Sequence, residues 1–172
     1  MRVLLVRHAV AVDRLAFEGA DSERPLTPEG ARRFRRAARA LAARLPAIEA
    51  IASSPLRRAR ETADLLAAEL AGKPERIDLG ALEPDARPAA ALAWLRSLRS
   101  LRANGGIETV ALVGHEPNLS RLEAWLLAAR ERPLSVFKKG GAALVELPGR
   151  ISAGHAVLLW HLTASQLRDL DR

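Results

Sequence analysis

Short apolar runs alternate along this chain with stripes of apolar residues at three-four spacing, and that alternation leaves few ways to fold it. The runs lie at 2–6 (RVLLV), 50–53 (AIAS), 76–79 (RIDL) and 108–113 (ETVALV), with two more at 142–147 (AALVEL) and 156–162 (AVLLWHL). Between them, Ala31, Phe34, Ala38, Leu41 and Leu45 mark one helix face, with Thr27 as its expected cap and Pro28 as its first residue. Leu56, Ala59, Ala63, Leu66 and Leu70 mark a second, opened by Ser54 as cap and Pro55 as first residue. A third stripe is Ala91, Trp94, Leu98 and Leu101; a fourth is Leu119, Leu122, Leu126 and Ala129, entered through Pro117. The segments ELAGKPER (69–76) and RANGG (102–106) read as turns. Strand-helix alternation predicts an α/β fold, a three-layer α/β/α sandwich with a mostly parallel central sheet. The last two strands follow each other without a helix, which leaves one of them to run antiparallel.

The 172 residues suit a single domain spanning 1–172, and a globule of that size buries about 70% of its unfolded surface. Hydrophobic residues make up 49% and charged ones 27%, as in ordinary soluble proteins. No run of about 18 apolar residues is present, so no membrane span is expected. The N-terminus is a strand pattern without a basic leader, so a cytoplasmic location is expected. The absence of cysteine excludes disulfides, thiolate chemistry and cysteine-based zinc sites. The net charge of +7 is almost all arginine, since Lys73, Lys138 and Lys139 are the only lysines. Such a balance suits nucleic acid, an anionic substrate or plain solvated helix faces. With 3% aromatics and no Tyr there are few platforms for base stacking, and nucleic acid is not the expected partner.

The chemistry sits at three strand ends. The first strand runs straight into Arg7 and His8, the second into Ser53-Ser54-Pro55-Leu56-Arg57-Arg58, and the fourth into Gly114-His115-Glu116-Pro117. Ligands of open parallel sheets bind beyond such ends. If the three strands are parallel, two histidines and at least two arginines meet on one rim, and two of the ends lead into helix N-termini that favour an anion. The set suits a phosphoryl group. Arginines offer paired donors to its oxygens, and a neutral histidine offers a nitrogen nucleophile. Neighbouring arginines should make His8 harder to protonate. No acidic metal cluster is visible, so no metal or cofactor is expected and the arginines must neutralise the phosphoryl charge. Each element also has a plain alternative: a hydrogen-bonded histidine, a well-capped helix with a basic face, a turn.

These residues resemble the histidine phosphatase superfamily. Its signature is Arg-His ending the first strand, then Ser-Pro-x-x-Arg-Ala-x-x-Thr, here Ser54 to Thr62, then Gly-His-x-Pro, here Gly114 to Pro117. RPLTPEG at 24–30 and FKKGGAALVEL at 137–147 are similar to segments of the small SixA-type phosphohistidine phosphatases. The resemblance implies the phosphoglycerate mutase-like fold without a large lid, with residues 9–26 the longest segment available to cover the site. It implies His8 as nucleophile, with Arg7, Arg58 and His115 holding the phosphoryl oxygens and Arg24 adding a substrate contact. Arg58 is preferred to Arg57 because it directly precedes Ala in the motif. His155 and His161 match nothing and read as structural. Larger members carry a glutamate that protonates the leaving alcohol; here Glu83 and Asp85 lie near that place without matching its pattern, and Glu83 is the possible general acid.

Imidazole leaves far more readily than an alkoxide, so a missing acid is tolerable for phosphohistidine. The expected activity is therefore dephosphorylation of protein phosphohistidine through a phosphohistidine intermediate. The partner is then a phosphohistidine-bearing protein or a small phosphorylated substrate. The alternatives are a small-molecule phosphomonoesterase of the same superfamily and a non-catalytic basic module that binds phosphate or RNA.

Overall fold

The computed structural model describes residues 1–101 and 107–171, with nothing said of the side chains of 99–101. Six strands form one sheet: β1 (Arg2–Arg7), β2 (Ala50–Ser53), β3 (Glu75–Asp78), β4 (Thr109–Gly114), β5 (Ala142–Glu146) and β6 (Val157–Leu162). Their spatial order is β3-β2-β4-β1-β5-β6. β1 to β4 run parallel, and β5 is antiparallel to both of its neighbours, β1 and β6. The helices are α1 (Pro28–Ala42), α2 (Arg57–Glu69), α3 (Pro88–Leu101), α4 (Asn118–Ala128) and α5 (Ala164–Asp169).

The apolar strands at the centre are buried on both faces because helices cover both. Val3 and Leu5 point into a core with Leu95, Leu112, Leu119 and Leu122, under α3 and α4. Leu4 and Val6 point the other way, onto Phe34, Leu41, Leu66 and Leu167 of α1, α2 and α5. This alternation of β1 residues between two cores is the period of two in a strand, and it makes the three layers.

Several local expectations change. Helix α2 begins at Arg57 rather than Pro55, with Leu56 as an extended N-cap lacking a side-chain cap. Ser54 caps nothing in the helix; its hydroxyl accepts the Leu56 N–H at 3.3 Å instead. The inward face of α3 carries Ala91, Leu92, Leu95 and Leu98, with Trp94 only partly buried. Leu95 lies four residues from Ala91 and takes the place expected of Trp94. The side chain of Leu101 and the turn at 102–106 lie outside the described residues. Ala129 is no part of the α4 face: it ends that helix in the left-handed conformation, at φ 52°. Helix α5 carries its own start signal, since Thr163 and Gln166 form a reciprocal capping box. Among the described residues no helix is long and apolar enough to cross a membrane.

Helix α1 matters most for the site, because it holds the chain leaving β1. Thr27 caps it by accepting the Gly30 N–H at 2.9 Å. Gly30 packs so closely on that chain that a Cβ there would lie 2.2 Å from the Val10 carbonyl oxygen. Gly30→Ala should therefore push α1 off residues 9–11 and cost about 1–3 kcal/mol. Gly72→Ala, with nothing within 4 Å of its Cβ, should be neutral or slightly stabilising. Thermal melts of the two variants check this; equal melting temperatures would contradict it.

Candidate active site

The β1–β4 register sets Arg7 beside Gly114, and the His8 N–H donates to the Gly114 carbonyl at 3.0 Å. The residues that follow these strands are thus neighbours, and the rings of His8 and His115 lie 4.9 Å apart between centroids, tilted by 51°. The third strand end joins them through the Ser54 N–H, which donates to the Val113 carbonyl at 2.9 Å. At the second residue of α2, Arg58 points inward and is only 3% exposed. Arg57 points outward and pairs with Glu61 at 2.7 Å.

Thr62 locks α2 to β1. Its hydroxyl donates to the Arg58 carbonyl at 2.7 Å and accepts the Ala9 N–H at 3.0 Å. Arg7 is held from the other side, donating through Nη1 to the Phe137 carbonyl at 2.6 Å. The Phe137 N–H in turn donates to Glu116 Oε1 at 2.7 Å, and the Ser120 hydroxyl donates to Glu116 Oε2 at 2.5 Å. Gly140, at φ 72°, turns its N–H onto the carbonyls of Arg7 and His8 at 3.2 and 3.1 Å. A left-handed turn of this kind suits glycine.

Protonation follows from these contacts. His8 Nδ1 lies 2.7 Å from the Ala9 carbonyl oxygen, which can only accept, so Nδ1 carries the proton and the Nε2 lone pair is free. Burial pushes the His8 pKa down to about 3; the Ala9 bond opposes this, and the charges of Arg58, Arg7 and Lys139 add to it. Burial, more than the arginines, keeps this ring neutral. His115 is pushed down to about 2, by burial first and then by His8 and Arg58. Burial also lowers Arg7, against the pull of Glu116, and lowers Arg58, against that of Asp21. Arginine nevertheless stays a cation at any working pH.

Four buried nitrogens here have no hydrogen-bond partner: Arg7 Nε, Arg58 Nε and both ring nitrogens of His115. Buried donors are normally satisfied, and an oxyanion is the ligand that supplies acceptors to two guanidinium groups and a neutral imidazole at once. The arrangement can therefore hold a tetrahedral anion against a neutral imidazole nucleophile. Among the described residues no group of three His, Cys, Asp or Glu could hold a metal ion.

Arg24 reaches the periphery of this cluster through Asp21. It donates to Asp21 Oδ1 at 2.9 Å and to the Val12 carbonyl at 2.7 Å, while Asp21 Oδ2 lies 3.1 Å from Arg58. Asp21 is the residue that sequence reasoning missed; its partner Arg58 lies 37 positions away, and no local pattern announces such a pair. Burial works to raise the Asp21 pKa, but Arg24 and Arg58 together hold it below the usual carboxylate range. Glu83 is half-buried after the 3-10 turn Gly80–Leu82, a turn whose Leu82 carbonyl oxygen lies 3.1 Å from where a Cβ on Gly114 would sit. Asp85 is exposed. His155 is exposed, and His161 donates through Nδ1 to buried Glu123 at 2.9 Å while its ring packs on Phe137. Neither histidine belongs to the cluster.

A family model described as the histidine phosphatase superfamily (branch 1) matches residues 3–82. An uncharacterized protein of Picosynechococcus sp. is 34% identical over 154 residues, which cover 89% of this chain and 90% of that one. The solved structure of the protein histidine phosphatase SixA complexed with tungstate is similar at a TM-score of 0.83 and 25% identity, covering 97% of this chain and 99% of that one. A mycobacterial glucosyl-3-phosphoglycerate phosphatase shares the fold at a TM-score of 0.72 and 17% identity, over 94% of this chain and 98% of its own. So does a phosphoserine phosphatase of Entamoeba histolytica, at 0.66 and 16%, over 96% and 98%.

Two measurements test the geometry. Arg58→Ala should cost any turnover about 3–4 kcal/mol in transition-state stabilisation, whereas Arg57→Ala should leave kcat/KM within about twofold, as an exposed ion pair does little. Equal losses would mean that the helix register is misread. The histidines predict an acid limit to stability. Their folded pKa values of about 3 and 2 lie below the unfolded value of about 6.5, so the unfolded chain binds the extra protons. Stability is then complete above about pH 6.5 and falls by about 1.4 kcal/mol per pH unit for each ring as pH drops towards 3. Denaturant melts from pH 7 to 5 should show this slope, halved in His115→Ala; a flat profile would contradict it.

Proposed function

Since the chain belongs to the histidine phosphatase superfamily, we propose that it is a metal-independent phosphatase acting on protein phosphohistidine through His8. The reading rests on one observation above the rest: a neutral His8 with its Nδ1 proton committed to Ala9, beside unpartnered nitrogens of Arg7, Arg58 and His115. In the first step His8 Nε2 attacks phosphorus and the P–N bond to the substrate ring breaks; that ring, its other nitrogen already protonated from solvent, leaves as neutral imidazole. In the second, water attacks phospho-His8, the new P–N bond breaks, and inorganic phosphate leaves with neutral His8 restored. Arg7, Arg58 and His115 hold the phosphoryl oxygens in both steps and meet the growing charge. Arg24 acts by steadying Asp21 and, through it, Arg58.

Substrate class is inferred from the leaving group. An alkoxide needs a positioned acid, and Glu83 does not match the pattern of the acid that larger family members carry. An imidazole needs none. The likeness to SixA, whose structure holds tungstate, a tetrahedral oxyanion, supports the same class. Small phosphomonoesters are the second reading, favoured by the shared fold with phosphoserine and glucosyl-3-phosphoglycerate phosphatases.

A rapid acid-free quench after mixing with radiolabelled phosphohistidine protein should trap base-stable, acid-labile label on the wild-type chain and none on His8→Ala. Glu83→Gln should keep phosphohistidine turnover within a few-fold. A hundredfold loss in Glu83→Gln, about 2.7 kcal/mol, would restore a general acid and favour small phosphomonoesters.

A further inference from the structure

Two of the three lysines, Lys138 and Lys139, stand side by side at a cleft of about 390 Å³ that begins at Ala9, the residue after His8. Arg33 of α1 and Arg168 of α5 complete its rim, and no carboxylate lines it. Arg33 is held by Glu29 at 2.5 Å. The side chains of Lys138, Lys139 and Arg168 have no hydrogen bond or ion pair among the described residues. Three unpaired cations around one cleft, in a chain that pairs most of its arginines near them, ask for an anion from outside.

The lysines are also fixed relative to the nucleophile. They precede Gly140, whose N–H bonds the Arg7 and His8 carbonyls, and the Gly141 N–H closes the turn on the Lys138 carbonyl at 2.8 Å. Lys139 is near enough for its charge to act on the His8 ring. A group seated in the cleft would therefore be part of the same substrate whose phosphoryl group meets His8, yet several bonds away from phosphorus. The only aromatic lining the cleft, Phe34, is 2% exposed and offers no face for base stacking.

We propose that this cleft is a second anion subsite that docks carboxylates flanking the phosphorylated histidine of a protein substrate. The proposal rests on the phosphohistidine reading and adds to it what selects the partner: an acidic surface around the target histidine. Exposed cations of this kind steer and orient an acidic partner more than they clamp it, and salt screens the effect.

Two phosphohistidine peptides decide the matter, identical except that one carries Asp and Glu around the phosphohistidine and the other Asn and Gln. At low salt the wild type should turn over the acidic peptide about tenfold better in kcat/KM, mainly through KM, with the advantage shrinking as salt is added. The double variant Lys138→Ala, Arg168→Ala should reduce that preference below about threefold. Lys138→Glu should shift preference towards a lysine-flanked peptide, a gain that misfolding cannot produce. Equal turnover of both peptides by the wild type would overturn the docking proposal and leave the phosphohistidine reading standing. Turnover of neither, with brisk hydrolysis of a small phosphomonoester, would overturn both. A short RNA oligonucleotide that blocks the acidic peptide, and ceases to do so in the double variant, would give the cleft to nucleic acid and overturn the proposal.

Discussion

The parallel pairing of β1 with β4 is the constraint on which the rest depends. With Arg7 opposite Gly114, the two chains leave the sheet at one level, and His8 and His115 arrive as neighbours. A slip of one residue would turn Val3 and Leu5 out of one core and into the other, so burial on both faces of β1 enforces the register. The chemistry of the site is held in place by the packing of Val3, Leu4, Leu5 and Val6, all fully buried.

Around that frame the protein resolves a conflict of charge. Arginines near buried histidines oppose any further positive charge, and burial opposes it more strongly. Two neutral rings beside two guanidinium groups form a site that is cationic yet retains a lone pair. Keeping Arg7 and Arg58 there costs desolvation, which is offset by the Phe137 carbonyl for Arg7 and by Asp21 for Arg58. Glu116 contributes at one remove, binding the Phe137 N–H and adding a negative charge near Arg7.

The segment between β1 and α1 acts as a strap more than a lid. It is tied down at both ends by the Val12–Pro25 and Thr27–Val10 backbone bonds, and Asp21 within it reaches Arg58. Its first residues, Ala9 and Val10, border the basic cleft that Lys138 and Lys139 line. The residues gathered around His8 thus lie beside an open cationic cleft.

The sequence by itself determined the layers, the strand ends and the family. The apolar runs at 2–6 and 108–113 mark central strands, although AVLLWHL, no less apolar, forms the edge strand β6 with Val157, Leu158 and Leu159 exposed. Helical stripes declare their buried faces, and the three motif segments around His8, Arg58 and His115 are each short enough to read locally. The resemblance to the family motif also separated Arg58 from Arg57, through the Ala that follows. Where local signals competed, reading failed: Ser54-Pro55 looks like a helix start, yet α2 begins at Arg57, and Trp94 looked inward until Leu95 took the core. Tertiary structure alone decided the rest. The Asp21–Arg58 pair, the tie from Thr62 to Ala9, the Glu116–Phe137–Arg7 chain and the basic cleft all join residues far apart in sequence. Hydrogen bonds and ion pairs are made between any residues the fold brings within reach, and they leave no periodicity behind. Burial does, because it must repeat with the turn of the helix and the pleat of the strand.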